Sequence, residues 1–79
     1  MDDSTIYERL SGIFQDIFDD DSIVATPAMS ARDVDGWDSL SHIRLLLTVE
    51  KSFKVKFTTT EINKLEDVQG LVKLIQTRL

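Results

Sequence analysis

A chain of 79 residues makes one small domain that buries only about 60–65% of the surface its unfolded form exposes, which leaves little depth for an enzyme pocket. Apolar residues are 42% and charged residues 29% of the whole, a balance that folds rather than stays disordered. There is no cysteine, which excludes disulfides, thiolate metal sites and cysteine nucleophiles, and 14 acids against 9 bases give a net charge of −5 that opposes nucleic acid and anionic membranes.

Ile6, Leu10, Ile13, Phe14, Ile17 and Phe18 recur at helical spacing and predict a helix over residues 4–18, with Thr5 and Glu8 in the form of a capping box. Asp19, Asp20 and Asp21 meet the negative end of its dipole and are expected to stop it. A long loop follows to Asp38. It holds the only proline, Pro27, with Ser22, Ser30 and Gly36, and Ile23, Met29 and Val34 are expected to pin it to the core. A loop of this length in so small a domain suggests a function. The next helix is predicted from Ser39 to Phe53 with Asp38 as its N-cap. Thr58 and Glu61 form a further capping-box pattern that opens a short helix edged by Ile62 and Leu65. Val68, Leu71, Val72, Ile75 and Leu79 mark a closing helix from about Asp67. Val55-Lys56-Phe57 has strand character but no strand to pair with. The expected fold is all-α, a small four-helix bundle of three principal helices and one short one, with the long loop between the first two. No repeat or linker interrupts it, so residues 1–79 are expected to be a single free-standing domain. No apolar run approaches the roughly 20 residues of a membrane span. Met1-Asp2-Asp3 is acidic where a signal peptide is basic, and a cytoplasmic location is expected.

Asp35-Gly36-Trp37-Asp38-Ser39-Leu40 sets a hydroxyl on the first turn of a helix directly after a loop. Free backbone N–H groups and a partial positive charge suit that end to a phosphodiester, although Asp38 and Ser39 also read as ordinary capping residues. At about 100° per residue, Leu40, Ile43 and Leu47 form one apolar stripe. With Leu46, Phe53, Val49 and Leu45 the apolar arc reaches about 220°, well beyond the roughly 100° that a surface helix buries. The excess, starting beside Ser39, is a candidate docking surface, against the alternative that every one of these residues is core.

Gly36-Trp37-Asp38-Ser39-Leu40, followed by His42, Leu45, Glu50 and Phe53, resembles the acyl carrier protein family, and the resemblance extends over nearly the whole chain. It implies that Ser39, flanked by Asp38 and Leu40, receives the 4'-phosphopantetheine arm of coenzyme A. It also implies partner contacts at Leu40, Ile43 and Leu47, to which Arg44 on the polar face is added as a candidate contact, and partners that include a phosphopantetheinyl transferase and acyl-loading and acyl-processing enzymes. The tryptophan form of the motif is similar to carriers of specialised, polyketide-like pathways more than to a fatty-acid carrier. Members of the family usually have an acidic helix here. In this chain Ser41, Arg44, Thr48 and Lys51 take its polar positions, with Glu50 the only acid between Ser39 and Phe53. A dedicated partner set is therefore expected.

Asp38, Ser39 and His42 are the residue types of a hydrolase triad, but they sit within five residues on one helical turn, outside any Gly-x-Ser-x-Gly elbow. No catalysis is expected of the chain itself. One histidine makes no metal site, and the acids at 19–21 and at 33, 35 and 38 lack EF-hand spacing, so no metal is expected. A peptidyl or aminoacyl carrier is the alternative within the carrier class, although Trp37-Asp38 stands where such proteins usually have Gly-Gly. An unmodified acidic helical interaction module is the alternative outside it. A monomer is expected.

Overall fold

The computed structural model describes residues 1–79 as four helices without a strand. They are α1 (Asp3–Phe18), α2 (Ser39–Phe53), α3 (Thr59–Lys64) and α4 (Val68–Arg78), with a single 3₁₀ turn at Ala31–Asp33 in the long loop. The all-α bundle expected from the sequence is the fold observed.

The three long helices start in the same way. Asp2, Asp38 and Asp67 each accept the backbone N–H three residues on, at 3.0, 2.9 and 2.8 Å, which satisfies one of the donors a helix start leaves unpaired. This corrects the expectation for α1, where Asp2 is the cap and Thr5 sits inside the first turn donating its N–H to it. A carboxylate there also interacts favourably with the helix dipole, so the cap falls on the acid upstream of the threonine. Thr58 and Glu61 do form a reciprocal capping box on α3. Both α1 and α2 end on a non-glycine residue in the left-handed region, Asp19 at φ 49° and Lys54 at φ 57°. The N–H of the residue after each folds back to the fourth-last helical carbonyl: Asp20 to Gln15 at 3.1 Å and Val55 to Glu50 at 3.0 Å. The Val55–Phe57 segment is therefore the exit from α2 rather than a strand. Val55 is buried, and the Phe57 N–H is held by the Glu50 carboxylate at 2.7 Å.

Sixteen buried side chains, all apolar, form one core. Four come from each long helix: Ile6, Leu10, Ile13 and Phe14 of α1, Leu45, Leu46, Val49 and Phe53 of α2, and Val68, Leu71, Val72 and Ile75 of α4. Leu79, expected on the apolar face of α4, is 53% exposed because the helix ends at Arg78 and carries it past the bundle. α3 buries no residue fully and rests on the core through the half-buried Ile62, followed by Leu65.

The long loop is docked rather than free. Met29 and Val34 are buried as expected, Ala25 joins them, and Ile23 packs half-buried against the core. Its backbone is tied to α1 by Ala25 N–H to Ser11 Oγ (2.9 Å) and by Gln15 Nε2 to the Ile23 carbonyl (2.9 Å). At its other side, the Met29 and Pro27 carbonyls accept the Val68 and Gln69 N–H groups at 2.9 and 3.0 Å, completing the start of α4. No helix is long and apolar enough to cross a membrane.

Candidate functional site

The path to Ser39 is built by a turn and an aromatic anchor. The Trp37 N–H closes a turn onto the Val34 carbonyl at 3.3 Å, with Gly36 third in the turn at φ 87°, a conformation that favours glycine. The turn delivers the Trp37 indole between helices. Its ring meets Phe14 edge-on at 5.2 Å between centroids and lies 6.1 Å from both Phe18 and His42. Trp37 Nε1–H donates to His42 Nδ1 at 3.1 Å, and His42 Nε2 lies 2.9 Å from the Ile62 carbonyl. An indole N–H only donates and a carbonyl only accepts, so this pair of partners matches the tautomer with N–H at Nε2 and a lone pair at Nδ1. A loop, α2 and α3 are thus joined by one side-chain bridge.

Ser39 is the first residue of α2 and is exposed. Asp38 caps the helix, and the Ser41 N–H holds its carboxyl below the usual aspartate range, so it is ionised at neutral pH and folded back onto the helix. The Ser39 hydroxyl is left out of the capping. It stands on the rim of an open groove of about 460 Å³ between the start of α2 and the end of α3, floored by Trp37, His42, Ile43 and Leu65. Below this floor the interior is closed. A space of about 10 Å³ remains between Trp37, His42 and the core, room for no more than about one water. Both His42 nitrogens are engaged away from Ser39, so no base is aligned on the hydroxyl. No three His, Cys, Asp or Glu side chains converge to hold a metal ion.

The other residues singled out from the sequence lie along α2. Leu40, Ile43 and Leu47 are 70%, 50% and 55% exposed, half of the six large apolar residues the molecule exposes. Arg44 is exposed among them. Leu40 stands on this outer stripe, and only Ile43 of the three also reaches the groove. Trp37 and His42 are the site residues that sequence reasoning undervalued. Their pairing was signalled by an indole donor placed just before the N-cap and a histidine one turn beyond it.

No protein-family model and no curated protein matches the chain. Solved structures do match it, among them the solution NMR structure of a holo acyl carrier protein from Geobacter metallireducens, at TM-score 0.84 and 44% sequence identity over 91% of this chain and 83% of that one. The chain belongs to the acyl carrier protein family. Identity at this level over so much of both chains carries more than a shared helical topology. In acyl carrier protein terms, the groove beside Ser39 has the attributes a tethered group requires: an exposed hydroxyl free of structural hydrogen bonding, a helix start beneath it and an open surface alongside.

Proposed function

We propose that this acyl carrier protein holds acyl intermediates as thioesters on a 4'-phosphopantetheine group attached to Ser39, and presents them to enzymes of fatty-acid, polyketide or related specialised biosynthesis. The observation that carries the reading is the exposed Ser39 hydroxyl at the first position of α2, left out of capping and opening on the groove. When bound, the phosphopantetheine supplies the thiol that a chain without cysteine lacks. The chain itself supplies position. Asp38 and the docked Trp37 turn fix the start of α2, and the Trp37–His42–Ile62 bridge fixes the groove's floor. Leu40, Ile43, Arg44 and Leu47 form the face on which a phosphopantetheinyl transferase and the acyl-loading and acyl-processing enzymes dock. The chain works as a cytoplasmic, monomeric, non-catalytic domain within residues 1–79.

Incubation of the apo protein with coenzyme A and a broad-specificity phosphopantetheinyl transferase should add one phosphopantetheine, read by intact mass. Equal modification of Ser39→Ala would overturn the assignment of the serine.

A further inference from the structure

The sign of the docking face is unusual for so acidic a chain. At about 100° per residue, Leu40, Ile43, Arg44, Leu47, Lys51 and the C-cap Lys54 all fall within an arc of about 100° on α2. Each of them is exposed. This single stripe begins beside Ser39 and ends in an open groove of about 590 Å³ where Lys51 and Lys54 are joined by Lys56. Glu50, the one acid of the helix, lines the same groove with its carboxylate held by the Phe57 N–H at 2.7 Å, and there it is outnumbered by Lys51, Lys54 and Lys56. None of the four basic side chains is paired, since the sole ion pair of the molecule is Arg78 with Glu61. By contrast, residues 1–38 carry ten acids against two bases. Residues 39–79 carry seven bases against four acids.

We infer that the enzymes this carrier serves present an acidic surface, with carboxylates rimming an apolar strip that receives Leu40, Ile43 and Leu47. The inference rests on the carrier reading and specifies the chemistry of its partners. A protein surface is the occupant because cations and apolar side chains share one helical face, Arg44 among Leu40, Ile43 and Leu47 and the lysines beyond them, which a folded partner matches with adjoining apolar and acidic groups. An extended polyanion would also meet the acids of residues 1–38, and the net charge of −5 repels it.

The test uses the full chain, a broad-specificity phosphopantetheinyl transferase, and a version of that enzyme whose carrier-facing basic residues are replaced by glutamate. The rate of Ser39 modification, followed by intact mass at low and high salt, should be higher with the acidic-faced enzyme by tenfold or more at low salt. Arg44→Glu/Lys51→Glu/Lys54→Glu should reverse the preference, whereas Lys73→Glu on α4 should not change it. Circular dichroism of the triple variant should match the parent, since all three positions are exposed, and its melting temperature should fall only slightly, because two of the new acids meet the negative end of the α2 dipole. Modification at equal rates by both enzymes, at both salts, would overturn the inference and leave the carrier reading standing. Absence of modification by either enzyme would remove both. Sedimentation with phosphatidylglycerol vesicles, or self-association that the triple variant abolishes, would assign the stripe to a membrane or a second copy and so overturn the inference too.

Discussion

Ser39 and His42 are both polar residues on the first turn of α2, and their surroundings give them different work. Ser39 is exposed and contributes no structural hydrogen bond, so Ser39→Ala should change the free energy of unfolding by no more than about 0.5 kcal/mol while abolishing modification. His42 is half-buried and bonded on both nitrogens. Replacing it with phenylalanine strips the Trp37 N–H of its partner and leaves the Ile62 carbonyl only the 3.4 Å bond from the Leu65 N–H, and urea denaturation should show a loss of about 1–3 kcal/mol. Trp37→Phe keeps an aromatic ring against Phe14 and orphans only His42 Nδ1, so its loss should be smaller than that of His42→Phe. If His42→Phe is as stable as the parent, the bridge does not hold α3. Asp38 and Ser39 were legible in the sequence because capping is local chemistry over three residues. The partner of His42 was not, because Ile62 lies 20 residues away and offers a main-chain carbonyl, which no residue type announces.

Among the elements, α2 shows how an over-wide apolar arc divides. Leu45, Leu46, Val49 and Phe53 face the core, and Leu40, Ile43 and Leu47 face outward. Ile43→Asp should therefore leave helicity and melting temperature nearly unchanged and slow Ser39 modification, whereas Leu46→Ala should cost about 2–5 kcal/mol by thermal or urea unfolding. A collapse of the Ile43 variant would assign that residue to the packing of the bundle. The helix starts carry a pH dependence. Asp2 and Asp38 lie below the usual aspartate range because Thr5 and Ser41 donate to them, and Glu61 lies below the usual glutamate range because of the Thr58 N–H and Arg78. A depressed folded-state value means that the unfolded chain binds protons more readily. The stabilisation from these three caps is thus fully present above about pH 5 and lost as the pH falls below about 4. Melting temperature measured across that window should fall, and Asp2→Asn with Asp38→Asn should flatten the fall, since asparagine caps without titrating. The helix periods and the Asp38 cap were readable from residue types alone. Choosing Asp2 over Thr5 required the folded backbone, because both are good cap residues within three positions of each other.

At the scale of the molecule, the bundle is three helices around an apolar core with α3 attached at its edge. α3 has no fully buried side chain and is held by the half-buried Ile62, by the His42 bridge to the Ile62 carbonyl, and by Arg78 of α4 reaching Glu61. Few buried apolar contacts imply a low local opening free energy, so amide hydrogen exchange should be fastest among the helices at Thr59–Lys64. The interior amides of α1, α2 and α4 should exchange together near the global unfolding limit, and protection of α3 equal to theirs would contradict this division. Legible in the residues alone were the helix count, the boundaries of α2, the serine at its start and the surplus of apolar surface beside it. These follow from period, capping chemistry and composition, which act over a few residues or over none in particular. It took the folded chain to settle which part of that arc faces solvent, that the long loop completes the start of α4 with its own carbonyls, and that the Glu50 carboxylate is held by the Phe57 N–H. Each of these depends on groups brought together from separate elements or across a helix exit, and a linear pattern carries no record of that proximity.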